Sequence, residues 1–284
     1  MTPRLMGILN ASPDSFSDGR DETVEQCVAR GRALLAEGAD ILDIGGESAR
    51  GDRPAVTVAE EIARVVPVIA ALSSEATISV DTYKPEVAEA AVAAGATIVN
   101  DVSGLRDERL ASVCAAGGAA LVIMHTAIAP KGTLLDPSAY DDVVAEVLAF
   151  LRARIEVALA AGVSSLVIDP GPDFAKTPAQ TVAVLRALPR LRELGWPVLL
   201  ACSRKDYVGA ITGRPPRERG AGTLAAMAEG IDAGADIIRL HDVAAARDYL
   251  AVRAVMRGER ELGALEGLSP ERYPDGVPPH LTLG

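Results

Sequence analysis

Aromatic residues are scarce in this chain: three Phe, five Tyr and one Trp among 284 residues. A core without large rings must be filled by Ala, Val, Leu and Ile, which suits parallel strands covered by small-residue helices. Cysteine is equally sparse, and Cys27, Cys114 and Cys202 form no CxxC pair. Neither a disulfide framework nor a zinc site is suggested; buried thiols in a reducing compartment are the expectation. No apolar run reaches the roughly 18 residues that a membrane span needs. The stretch from Met1 to Asn10 turns polar too early for a secretory signal, so the expected location is cytoplasmic, away from membranes. An excess of positive charge is missing too. The net charge of −11 argues against a nucleic-acid partner, although one pocket can still be locally positive enough for a small anion.

What is present is an internal echo. Ala36-Glu37-Gly38-Ala39-Asp40 runs into Ile41–Ile44, Ala94-Gly95-Ala96-Thr97 into Ile98–Asp101, and Ala233-Gly234-Ala235-Asp236 into Ile237–His241. Looser copies surround Gly118 and Gly162. Each Gly follows an Ala-rich stretch of helical spacing and reads as the left-handed residue that closes a helix. The short apolar run after it reads as a buried strand.

Applied to the whole chain, this pattern predicts strands at Leu5–Leu9, Asp40–Ile44, Thr77–Val80, Thr97–Val99, Ala120–Met124, Leu166–Ile168, Pro197–Ala201 and Ile237–Leu240. Between and after them come helices at Thr23–Glu37, Val58–Leu72, Pro85–Ala94, Asp107–Ala116, Tyr140–Ala161, Pro178–Leu194, Arg219–Ala233 and Val243–Arg257. Strict alternation implies a parallel sheet, and eight units imply an α/β fold: a single (β/α)8 TIM barrel over residues 1–258. An open doubly wound sheet is the alternative, but no GxGxxG follows the first strand. Residues 259–284 hold four prolines and read as an extended C-terminal tail.

Chemistry in such a barrel gathers where strands end. Every predicted strand here ends on polar groups: Asn10, Asp43, Asp81, Asn100 with Asp101, His125, Asp169, Ser203 with Lys205, and Arg239 with His241. Any one could be a cap or loop former; eight converging ends make a ligand pocket. Arg239 and His241, two apart on a strand, share a face. With Arg204 and Lys205 they could meet an anion, the alternative being salt bridges to the acidic strand ends. Asp14 and Asp43 could help position a hydrated Mg²⁺. Asp81, Asn100, Asp169 and Lys205 could hydrogen-bond the edge of a flat heterocycle, and a carboxylate there could stabilise a developing cation. Asn10 to Gly19 forms a polar loop around Phe16 that could act as a lid.

The same residues carry a family resemblance. The strings MGILNASPDSFSDG (6–19), DILDIGGESAR (40–50), ISVDTYKPEVAEAA (78–91), IVNDVSG (98–104), VIMH (122–125), DPGPDFAKT (169–177), CSRKDYVG (202–209) and IIRLHDV (237–243) stand in the order of the dihydropteroate synthase family. The resemblance covers about Met6 to Arg257. It implies a transferase of folate biosynthesis that joins 4-aminobenzoate to a pterin diphosphate, releasing diphosphate with Mg²⁺ as cofactor. By that resemblance Asp81, Asn100, Asp169 and Lys205 hold the pterin, with Met124 lining its pocket and Asp81 facing the cation. Asn10, Arg239 and His241 hold the diphosphate, Asn10 through the metal. Arg50 and the loop from Asp14 to Phe16 close over it. Phe174, Lys205 and Ser203 flank the aminobenzoate. The catalytic set is Asp81, Lys205, Arg239 and His241.

The sequence departs from the family at three places. The usual Glu-Ser-Thr-Arg-Pro-Gly becomes Glu47-Ser48-Ala49-Arg50-Gly51-Asp52, and Gly-x-Gly-Phe-Gly-Lys becomes Gly171-Pro172-Asp173-Phe174-Ala175-Lys176. His125 to Pro130 lacks the usual Met and Gly pattern. These changes lie at the arylamine side and leave the pterin and diphosphate residues intact. Two other readings are a pterin-binding paralogue without synthase activity and a folate-binding methyl-transfer module, which should not need the Ser203, Lys205, Arg239 and His241 set. Family members often form homodimers through helices of the last third, where Arg219–Ala233 is Ala-rich.

Overall fold

The computed structural model describes residues 2–11, 23–48, 54–132 and 134–263. The chain divides into two units, Met1–Ala246 and Arg247–Gly284, and all strands lie in the first. The strands are β1 (Arg4–Asn10), β2 (Ile41–Gly45), β3 (Thr77–Asp81), β4 (Ile98–Asp101), β5 (Ala120–Met124), β6 (Leu166–Asp169), β7 (Leu199–Ala201) and β8 (Ile237–Leu240). The helices are α1 (Val24–Ala36), α2 (Val58–Leu72), α3 (Pro85–Ala93), α4 (Arg109–Gly117), α5 (Val143–Ala160), α6 (Pro178–Arg186), α7 (Leu188–Arg192), α8 (Asp206–Thr212), α9 (Gly220–Asp232) and α10 (Val243–Met256). Helix α10 runs across the division between the two units. Much of the expected tail, from residue 264 on, is outside the described residues.

The predicted echo has a physical basis. Gly38, Gly95, Gly118, Gly162 and Gly234 all have φ between 66° and 115°, the left-handed turn that ends a helix and returns the chain to the sheet. The aspartates that follow two of them do a shared job. Asp40 accepts from the Leu5 amide at 2.8 Å, and Asp236 accepts from the Val198 amide at 2.8 Å. Each satisfies a backbone donor at the start of a neighbouring strand, a group costly to bury unpaired. Helix starts are equally explicit. Thr23 and Thr177 form reciprocal capping boxes with Gln26 and Gln180.

All strands pair in parallel in the order β6-β5-β4-β3-β2-β1-β8-β7. The circle closes between β6 and β7 through the isolated bridge of Ile168 with Val198, reinforced by Ile168 N–H donating to the Pro197 carbonyl at 2.9 Å. This is the predicted (β/α)8 barrel. Its register explains the interior. Met6 lies beside Ile41, and Ile98 beside Ala120, so alternate residues project inward and fill the barrel. Met6, Ile41, Ile98, Val122, Val167, Leu199, Ala201 and Ile237 form that plug. Full burial of one such aliphatic side chain contributes about 1.5–3 kcal/mol.

Two details differ from the pattern read in the sequence. The helix expected over Pro178–Leu194 is interrupted at Ala187, because Pro189 has no N–H to continue the ladder and its ring opposes the preceding turn. A helix not foreseen, α8, follows β7 and ends at Gly213, with φ 71°. No helix among the described residues is long and apolar enough to cross a membrane.

Candidate active site

The alternation that builds the plug continues one layer up and changes chemistry. Two residues beyond Ile41, Ile98, Val122, Val167 and Ile237 stand Asp43, Asn100, Met124, Asp169 and Arg239. Apolar interior residues thus give way, at every one of these strands except that of Met124, to polar ones at the C-terminal ends, where Asp81 and Asn10 also sit.

Arg239 organises this layer. Its Nε donates to Asp43 Oδ2 at 2.6 Å and its Nη2 to Asp81 Oδ2 at 2.7 Å. Asn100 Nδ2 donates to the same Asp43 oxygen at 3.1 Å. The other oxygen of Asp43 is buried with no hydrogen-bond partner. Burial raises Asp81 to about 7; Arg239 opposes the rise, while Asp43, Glu61 and Asp101 add to it. Burial alone would lower Arg239, but Asp43 and Asp81 outweigh it and hold the guanidinium charged. Asp101 turns away from this group and accepts from the Ser103 and Leu105 amides, so it shapes the loop after β4.

A second group spans β6 and the segment after β7. Asp169 is buried and accepts from the Gly171 amide at 2.7 Å. Burial raises its carboxyl above the usual range, against that hydrogen bond and the charges of Lys205 and Arg239. Burial likewise lowers Lys205, although Asp173 and Asp169 pull it up. Lys205 Nζ donates to the Pro172 carbonyl at 3.0 Å and lies 4.6 Å from the Phe174 ring centroid, a cation–π contact. The altered Asp173 is built into the loop: it takes φ 64° and accepts from the Asp206 amide at 2.5 Å and from Thr181 Oγ1 at 3.3 Å.

A third pair stands at the rim. Ser203 Oγ lies 2.9 Å from His241 Nδ1, and the His241 amide donates to Ser203 Oγ at 3.2 Å. Enclosure of the ring lowers His241 to about 4, and Arg204, Arg239 and Lys205 push the same way, so the imidazole is neutral at pH 7. Asn10 is exposed at the end of β1. Among the described residues no cluster of three or more His, Cys, Asp or Glu could hold a metal by itself. Cys202 is buried, and burial pushes its thiol up to about 12, which excludes a nucleophilic thiolate. The structure therefore gathers Asp43, Asp81, Asn100, Met124, Asp169, Phe174, Ser203, Lys205, Arg239, His241 and Asn10 at the strand ends. Arg50 and the loop from Asp14 to Phe16 lie outside the described residues.

Two features escape sequence reading. Lys176 is only 1% exposed, and its Nζ reaches His125 Nδ1 at 2.7 Å, the Gly171 carbonyl at 3.0 Å and the Phe174 carbonyl at 3.1 Å. Burial lowers Lys176 to about 7 and His125 to about 3. This lysine pins the loop carrying Phe174 to the end of β5. The second feature is a charge cluster beside the site. Lys84 pairs with Glu47 and Glu61, and Lys131 with Glu47. It borders an open cavity whose walls include Ser48, Asp81, Thr82, Pro130, Lys131 and Phe174. Lys176, Lys84 and Glu47 stand within the strings quoted above, but nothing in those strings shows that they are buried or paired.

Comparison with known proteins gives consistent results. The family described as pterin binding enzyme matches residues 6–241. A dihydropteroate synthase of Bacillus subtilis (strain 168) is 42% identical over 245 residues, covering 84% of this chain and 83% of that protein. The Xanthomonas albilineans dihydropteroate synthase solved with 4-aminobenzoic acid superposes with a TM-score of 0.83 at 49% identity, over 90% of this chain and 93% of that one. The Thermus thermophilus dihydropteroate synthase solved in complex with 6HMPPP has a TM-score of 0.78 at 42% identity, over 89% and 94% of the two chains.

Proposed function

Since the chain belongs to the pterin binding enzymes, within the dihydropteroate synthase family, we propose that it condenses 6-hydroxymethyl-7,8-dihydropterin diphosphate with 4-aminobenzoate to give 7,8-dihydropteroate and diphosphate. The observation that carries this reading is the polar layer: Arg239 held between Asp43 and Asp81, with Asn100, Asp169 and Lys205 on adjoining strand ends. That layer presents carboxylates, a carboxamide and cations within one mouth. A pterin edge, with its amino group and ring nitrogens, needs both donors and acceptors. Asp169 and the unpartnered Asp43 oxygen accept; Asn100 and Lys205 donate.

The reaction breaks the bond between the pterin methylene carbon and the diphosphate oxygen. The electron pair leaves with diphosphate, whose negative charge Arg239 and the neutral His241 meet as hydrogen-bond donors. The methylene is left electron-poor, and the Asp81 carboxylate stabilises that charge. The arylamine lone pair then forms the new C–N bond, and its proton passes to solvent. Phe174 and the alkyl part of Lys205 flank the aryl ring, with Ser203 at its carboxylate end. No protein nucleophile is required.

Mg²⁺ fits this chemistry. The ion prefers oxygen ligands, keeps most of its water and is held by few protein groups when phosphates supply the rest. Exposed Asn10 offers one such oxygen and would hold the ion, which would neutralise charge on the diphosphate. Cytoplasmic location and a homodimer through α9 belong to the same proposal. The buried free thiols Cys27, Cys114 and Cys202 support a reducing compartment, and light scattering tests the dimer.

The decisive experiment mixes the protein with the pterin diphosphate, 4-aminobenzoate and Mg²⁺. Diphosphate and dihydropteroate should appear in equal amounts, and Lys205→Ala should abolish both. Pterin diphosphate binding without product would overturn the synthase reading and leave a pterin-binding paralogue.

A further inference from the structure

The loops after β2 and β5 depart from the family pattern, and they are joined to each other. Lys131, from the loop after β5, donates to the Ser48 carbonyl at 2.5 Å and pairs with Glu47 Oε1 at 3.1 Å. Glu47 is further fixed by Lys84, which meets its other oxygen at 2.5 Å, and by the Tyr83 hydroxyl, which donates to Oε1 at 3.2 Å. Burial would raise the Glu47 carboxyl, but the hydrogen bonds from Lys84 and Lys131 outweigh it and keep it charged below its usual range. The pair is largely sheltered, with side-chain exposures of 15% for Lys131 and 5% for Glu47. A sheltered ion pair with extra hydrogen bonds holds its geometry far better than an exposed one.

The backbone gives an independent sign. Lys131 has φ 68°, a conformation that costs a side-chain-bearing residue free energy and suits glycine. Here a lysine occupies it, and the side chain it carries ties the two loops together. Strain of this kind persists where surrounding contacts over-determine it. The tie also has a place in the site. Ser48 and Pro130, each next to one end of it, stand on the wall of the cavity that Phe174 and Asp81 border.

We propose that Lys131 is a positioning residue that, through Glu47 and the Ser48 carbonyl, sets the width of the slot receiving the arylamine. The proposal rests on the synthase reading above. Lys131 does not touch the reacting atoms; it fixes Ser48 against Pro130, so that a flat ring is held opposite Phe174 with its nitrogen toward Asp81. Loss of the tie lets the slot widen, and the arylamine loses orientation while the pterin side is unaffected.

Lys131→Gly is the informative variant, because glycine accepts φ 68° and the backbone has no reason to misfold. The KM for 4-aminobenzoate should rise on the order of tenfold, with the KM for the pterin diphosphate within about twofold of wild type. Lys131→Arg, which keeps the charge, should restore most of the arylamine KM. If wild type turns over and Lys131→Gly leaves the arylamine KM unchanged, the positioning role is wrong and the synthase reading stands. If wild type forms no product, the synthase reading falls and takes this proposal with it. An unfolded Lys131→Gly beside a folded Lys131→Arg would also overturn it, since the contact would then support the fold rather than the slot.

Discussion

Replacing Arg239 with Gln would test the electrostatic centre of the site through stability alone. The guanidinium serves two carboxylates, at 2.6 and 2.7 Å, and the Asp43 side chain is 0% exposed. Gln keeps a polar, planar end but no charge, so a buried carboxylate loses its counter-ion. Its way out is to take up a proton. For a carboxylic acid of ordinary value near 3.9, at about 1.36 kcal/mol per pH unit, that costs roughly 4 kcal/mol at pH 7 and about 1.5 kcal/mol at pH 5. The first figure agrees with the ~3–5 kcal/mol typical of breaking a buried pair from one side. Against a total stability of about 5–15 kcal/mol it is easily read by urea unfolding. The sign is fixed: a carboxyl whose folded value is raised favours the folded state at low pH and loses that advantage as pH rises. The deficit of Arg239→Gln must therefore shrink on going from pH 7 to pH 5. Adding Asp43→Asn should recover much of the loss by removing the orphaned charge. A deficit below about 1 kcal/mol at pH 7, or one that acidification does not reduce, would refute the compensating role of the guanidinium.

Other consequences follow from the titrating groups and the tight backbone. With Asp81 held at about 7, kcat/KM should fall as pH drops through that value; in Asp81→Asn this limb should vanish and the rate fall on the order of 10²-fold or more. Lys176 is lowered from 10.5 to about 7, so between these values the unfolded chain binds the extra proton and wild-type stability rises with pH. Lys176→Met should abolish that rise, as followed by melting temperature against pH. A Cβ on Gly171, with φ 66°, would lie 2.0 Å from the His125 carbonyl oxygen. Gly171→Ala should cost at least about 2 kcal/mol and weaken pterin binding, because the Gly171 amide is what Asp169 accepts from.

The barrel was legible because its signals are local. A glycine after an Ala-rich helix and a short apolar run after the glycine need no knowledge of tertiary contacts. The polar layer was legible for the same reason, since strand alternation turns spacing into facing. What the sequence could not show is who pairs with whom. Arg239 and Asp43 are 196 residues apart, and nothing near either names the other. Arg239 had two readings, anion binder or salt-bridge partner, and the structure shows it engaged with both Asp43 and Asp81. The sequence assigns no role to Lys131 or Lys176, yet one is a tie between loops and the other is buried. Their meaning depends on chain brought in from elsewhere. Helix α8 was missed because its seven residues are too few to display a helical period.

The closure of the barrel is uneven. Every neighbouring pair of strands shares a run of paired residues except β6 and β7, which meet through one isolated bridge among the described residues. Asp169 ends β6 and Lys205 follows β7, so in the proposed complex a pterin gripped by both lies across this seam. The substrate then works as a clasp. It adds the lateral connection that the backbone supplies sparingly there, and it ties occupancy of the site to the integrity of the fold. Amide exchange at Ile168 and at Leu199 should slow when the pterin binds, before any arylamine is present.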